Sequence, residues 1–166
     1  MPVLRSTRRV GSSAFPSANP VGPGSCCNDE RWPVIAAAFL ELREANRHSV
    51  RILDMDCGAG RLLLHAVRHA RAIGFTAIEA RGVGGVPALI GRARVAASYL
   101  VDPAIGITFE TADLMTALAE ELEFPADILI WHGRLAGVDQ DAVAHAVAAA
   151  AKRVIADATR SRGDGE

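Results

Sequence analysis

The segment Val50-Arg51-Ile52-Leu53-Asp54-Met55-Asp56-Cys57-Gly58-Ala59-Gly60-Arg61-Leu62-Leu63 constrains the fold more than any other stretch of the chain. An apolar run ends in an acid, passes through a glycine-containing turn and opens into an amphipathic pattern. Leu63, Val67 and Ala70 repeat on one helical face, with Arg61, His65 and Arg68 on the other. That order predicts strand, turn and helix, the first unit of an α/β fold. Glycines at such a turn let the backbone approach a ligand closely. The N–H groups that open the helix are free to bind an acceptor.

The same alternation continues along the chain. The sequence predicts strands at about 50–55, 77–83, 106–110, 127–131 and 154–156. Helices are expected at 61–73, from Pro87 through Leu89, Ile90, Ala93, Ala97 and Leu100, at 114–122, and from Asp139 or Asp141 to Lys152. Gly74 is a natural helix stop. An additional helix precedes the first strand, capped by Asn28 or Asp29, with Pro33 in its first turn and Ile35, Phe39 and Leu42 inward, ending near Asn46. Five βα repeats with short turns predict a doubly wound, mostly parallel five-stranded sheet. Residues 1–27, rich in Ser, Gly, Pro and Arg, read as a loosely ordered leader, 28–158 as the folded domain, and 159–166 as a flexible tail.

Composition removes several classes of function. The formal net charge is -1, so there is no electrostatic signature of a nucleic-acid binder. No apolar run approaches the ~20 residues of a membrane span, and no secretory signal is evident. Cys26, Cys27 and Cys57 form neither a disulfide framework nor a metal-ligand spacing, and a reducing cytoplasm is the expected setting.

The stretch Asp54-Met55-Asp56-Cys57-Gly58-Ala59-Gly60 resembles motif I of the class I S-adenosylmethionine-dependent methyltransferases, a strand followed by Asp/Glu-x-Gly-x-Gly-x-Gly or Asp-x-Gly-Cys-Gly-x-Gly. Asp54, Cys57, Gly58 and Gly60 match, and Asp56 stands in place of the first glycine. The resemblance extends over about residues 28–158. It implies the strand order 3-2-1-4-5, with S-adenosyl-L-methionine lying across the carboxyl ends of the first strands. Glu110-Thr111-Ala112-Asp113-Leu114 looks like the family segment whose acid meets the adenine amino group, with Leu114 against the ring. Phe124-Pro125-Ala126-Asp127-Ile128-Leu129-Ile130 resembles the family's fourth strand, which delivers Trp131 to the pocket wall and His132 to the ligand edge. The ribose-binding acid that usually ends the second strand falls on Gly84, with Glu79 as the nearby alternative. Asp56 lies near the methionine end, where it either meets the ligand or accepts N–H groups of the helix start.

The resemblance implies methyl transfer to a small-molecule acceptor, with His132 as the candidate general base. The alternative is a non-catalytic, methyltransferase-like partner subunit, favoured by Gly84 and by the chain stopping where the family adds a sixth and a seventh strand. That stop leaves the fifth strand as an edge through which a homodimer could form. No Asn/Asp-Pro-Pro-aromatic sequence follows strand four, which argues against methylation of nucleic-acid bases. A dinucleotide dehydrogenase would need glycine where Leu63 stands. A phosphatase of the Asp-x-Asp type would need Gly-Thr after Asp56, where the chain has Cys57-Gly58. His65, His69 and His145 read as solvent-side residues, and Arg134 as solvated.

Overall fold

The computed structural model describes residues 28–133 and 137–157. The expected leader, the tail from 159 and Arg134 lie outside these residues. The chain runs α1 Trp32–Glu44, β1 Ser49–Met55, α2 Arg61–Ala72, β2 Ala77–Gly84, α3 Pro87–Ser98, β3 Ile105–Thr111, α4 Leu114–Glu120, β4 Ile128–Trp131, α5 Gln140–Ala150 and β5 Val154–Ala156. The five described strands form one parallel sheet in the order β3-β2-β1-β4-β5. Both the order and the preceding helix are those expected from the sequence.

The helix ends show why the boundaries fall where they do. Gly74, at φ 99°, closes α2: its N–H bonds Arg71 O at 3.2 Å, and Phe75 N bonds Ala70 O at 3.1 Å. This is a Schellman closure, in which a left-handed residue turns the chain while satisfying the last carbonyls. Asn46, at φ 58°, closes α1 in the same way through Arg43 O and Leu42 O. The start of α1 differs from the sequence expectation. Arg31, rather than Asn28 or Asp29, occupies the cap position and makes no side-chain cap bond. Asp29 is diverted because its carboxylate takes the backbone N–H and the guanidinium of Arg31. Asp139 caps α5 through Asp141 N at 3.0 Å, one of the two acids expected there.

Register decides which side chains share a face. Val50, Ile52 and Asp54 align with Ile78, Ala80 and Gly82, and the apolar members of this face pack against α1, α2 and α3. Leu53 and Met55 lie on the opposite face with Val83, Leu129 and Trp131, under α4 and α5. β4 is buried at every position, as a central parallel strand must be. Over β2 and β3 the second face is polar. Arg81 binds Glu110, Glu120 and the buried Glu121, and Arg51 pairs with Glu121 and Glu79. The glycine turn leaves the sheet at the carboxyl ends of β1, β2 and β4.

Candidate functional site

The turn between β1 and α2 has left-handed backbone at alternate residues: Asp56 at φ 65°, Gly58 at 54° and Gly60 at 72°. These are the three glycine positions of the motif, and Asp is among the few residues that tolerate this conformation. The turn is tied to the sheet by Cys57 N donating to Val83 O at 2.9 Å.

The two glycines serve different ends. A Cβ on Gly60 would stand 2.6 Å from the ring of Phe109, and one on Gly82 2.5 Å from the same ring. Gly60 and Gly82 therefore bracket Phe109, which sinks between α2 and β2. Gly58 faces open space, with nothing within 4 Å of a Cβ built there. Cys57 is half-buried, and burial, with Asp54 and Asp56 nearby, pushes its thiol up to about 12. It stays protonated and unreactive at neutral pH.

Asp54 is the next-to-last residue of β1, beside this turn. It is 2 % exposed, and its Oδ1 has no hydrogen-bond partner. Desolvation raises its carboxyl from 3.8 to about 7, against the pull of the nearby Arg31 and with the push of Asp29 and Asp56. Arg31 reaches across the strand ends. Its Nε and Nη2 donate to Asp29 at 2.9 Å, Nε lies 3.1 Å from Asp157 Oδ1, and Nη1 lies 3.5 Å from Trp131 O. Asp157 also holds His132, with Nδ1 to Oδ2 at 3.1 Å. A chain of charges, Asp29–Arg31–Asp157–His132, thus spans the ends of β1, β4 and β5. A carboxylate only accepts, so Nδ1 carries the hydrogen of this contact and Nε2 is the other ring nitrogen.

Of the other expected residues, Gly84, Asp113, Leu114 and Trp131 fall at or near the same edge and Glu79 does not. Gly84 ends β2, buried, with a potential Cβ 3.2 Å from Ile90 Cδ1, and it contributes no carboxylate. Glu79 lies mid-strand on the second face, exposed and paired with Arg51 at 3.2 Å, away from the ligand edge. Asp113 caps α4, its Oδ1 accepting Thr116 N at 2.9 Å and the Thr116 hydroxyl at 3.0 Å, bonds that lower its pKa. Leu114 and Trp131 pack into the second core.

His65 and His69 are not solvent-side. Trp32 wedges its ring against both, at centroid distances of 4.1 and 5.1 Å, while His145 is exposed as expected. Desolvation lowers the pKa of both stacked histidines.

Arg31 and Asp157 were not singled out in the sequence, and Asp29 was expected only as a helix cap. Arg31 reads locally as a helix start, and its partners at Trp131 and Asp157 are a hundred or more residues away.

Comparison of the coordinates with solved structures finds neighbours with this same layout. Monomeric WbdD superposes with a TM-score of 0.61 at 20% identity, over 78% of this chain and 31% of that one. WbdD is elsewhere described as a bifunctional kinase-methyltransferase. The fold is a Rossmann-like methyltransferase fold. A class I methyltransferase from Listeria monocytogenes, lmo1582, is 28% identical over 60% of this chain and 29% of its own, with a TM-score of 0.45. The magnesium protoporphyrin IX methyltransferase of Synechocystis PCC 6803, solved with SAH, is 17% identical over 75% of this chain and 53% of its own, at 0.49. This methyltransferase-fold chain therefore spans about a third to a half of these proteins' lengths. No family model and no curated protein sequence matches it. Among the described residues no helix is long and apolar enough to cross a membrane.

Proposed function

We propose that this protein binds S-adenosyl-L-methionine and transfers its methyl group to a small-molecule acceptor. One observation carries the reading: an open left-handed glycine, Gly58, adjoins a buried, unpartnered carboxyl, Asp54, at the end of the central strand of a 3-2-1-4-5 sheet. Open α/β sheets bind ligands at this edge, where the strand order reverses. The donor set fits a nucleoside carrying an amino acid. The turn at Gly58 admits close backbone approach, and α2 begins with no side-chain cap on its N–H groups.

Asp54 and Asp56 would face the cationic methionine end, beside Cys57, Gly58 and Gly60. Gly84 would border the ribose, Asp113 and Leu114 the adenine, and Trp131 would back the pocket near His132. The bound cofactor supplies a methyl group on a sulfonium, whose departure leaves a neutral thioether. Such a transfer depends chiefly on alignment of the acceptor. His132, held by Asp157, would take the acceptor's proton at Nε2.

Calorimetric titration with S-adenosylmethionine and S-adenosylhomocysteine tests the reading. Micromolar binding that Gly58→Val abolishes supports it, and no heat at millimolar ligand defeats it. The alternative of a binding subunit draws on Gly84, which offers the ribose no charged acceptor. Binding without turnover over a broad acceptor panel would favour that subunit role.

A further inference from the structure

The edge where β1, β4 and β5 end has an excess of negative charge. Asp54 stands there at 2 % exposure with Oδ1 unpartnered, and its electrostatic neighbours are Arg31, Asp29 and Asp56. Asp157 adds a fourth carboxylate, shared between Arg31 and His132. Arg31 is the one permanent cation of this group, and it is already engaged by Asp29 and Asp157. Asp56 is exposed on the turn itself, with no hydrogen bond or ion pair among the described residues. Four carboxyl groups, of which Asp54 is only partly ionised at neutral pH, thus face one arginine and one histidine. The two that adjoin the open glycine turn, Asp54 and Asp56, are the two without a cationic partner in direct contact.

From this arrangement we infer that the site selects its cofactor by charge, holding the sulfonium form and releasing the neutral thioether product. This deepens the proposed function and rests on it. S-adenosylmethionine carries a sulfonium, an ammonium and a carboxylate, for a net charge of +1. The thioether left after methyl transfer is neutral overall. Removing one positive charge from a site held by the exposed Asp56 carboxylate and the buried Asp54, which the cation itself would favour in its ionised form, would cost the product its main electrostatic attraction, whereas the nucleoside contacts are the same for both. A charge pair a few ångströms apart near a protein surface corresponds to about a tenfold or greater difference in affinity. The consequence is an enzyme that its own product inhibits weakly.

The test is isothermal titration of the full chain with three probes: S-adenosylmethionine, S-adenosylhomocysteine, and sinefungin, in which an amine-bearing carbon replaces the methylated sulfur. The expected result is that the two cationic probes bind about tenfold or more tightly than the thioether. Asp56→Asn, which retains a residue tolerant of the left-handed turn, should narrow that ratio several-fold, as should raised salt. Asp54→Asn should narrow it further. Thioether binding as tight as that of S-adenosylmethionine overturns charge selection while leaving the proposed function intact. So does a ratio unchanged in both variants. Failure of all three probes to bind overturns both readings together.

Discussion

Replacing Asp54 by Asn isolates the cost of burying a carboxyl with an unpartnered oxygen at the centre of the site. In the unfolded chain this group titrates near its ordinary value of 3.8, and in the folded protein near 7. Between those values the folded state holds a proton that the unfolded state has lost, so folding takes up a proton. Asp54's contribution to stability is therefore fully present below about pH 4 and is lost as the pH rises through 7. At about 1.4 kcal/mol per pKa unit the whole interval is worth about 4 kcal/mol, an upper bound because water drawn toward the charge reduces it. Asn keeps the shape of the protonated carboxyl and cannot ionise. The variant's advantage over the wild type should accordingly grow by about 2.5 kcal/mol between pH 5 and pH 8. Urea unfolding of both proteins at pH 5, 6, 7 and 8 measures this directly. A stability difference that stays constant over that range, or that favours the wild type increasingly as the pH rises, would refute the reasoning. The same substitution is expected to weaken binding of S-adenosylmethionine, so stability and affinity should move in opposite directions.

Arg31→Met removes the guanidinium that holds Asp29 and Asp157 and the nearest cation to Asp54; a loss of about 3 kcal/mol in urea unfolding at pH 7 is expected, and an unchanged midpoint would show that the clamp is idle. Gly60→Ala places a Cβ at φ 72° and 2.6 Å from Phe109, at a cost of about 2–4 kcal/mol. Combining it with Phe109→Leu should recover part of that loss, and no recovery would mean that the ring is not what the glycine accommodates. Gly84→Asp restores an acid at the end of β2, where Ile90 Cδ1 at 3.2 Å is a flexible chain end able to shift. Calorimetry should show S-adenosylmethionine bound about tenfold more tightly through a charge-assisted bond to the ribose, and equal or weaker affinity would place the ribose elsewhere.

The parts of this molecule that were legible in the sequence are those written in short-range patterns. The apolar periods of Leu63, Val67 and Ala70, the stop at Gly74, the cap at Asp139 and the continuous run Ile128–Trp131 each depend on residues within a turn or two, and each element appears where it was expected. The motif turn was legible for the same reason, since glycine and aspartate at alternate positions encode its left-handed backbone. Asp29 shows the limit of such reading. An acid just before a helix ordinarily caps it, but here Arg31, two residues on, holds the carboxylate with both its guanidinium and its backbone N–H, so no N–H of the first helical turn receives it. His65 and His69 show it again, since charged neighbours along α2 do not reveal that Trp32 covers them. The charge chain from Asp29 to His132 joins the segment before the first strand to the residue after the last described strand, so no local pattern contains it. It exists only once the sheet brings the carboxyl ends of β1, β4 and β5 side by side. That is also why Gly60 carries two meanings. As a motif residue it suggests a ligand, whereas in the fold its missing side chain makes room for Phe109, and Gly58 is the glycine of this turn that faces open space.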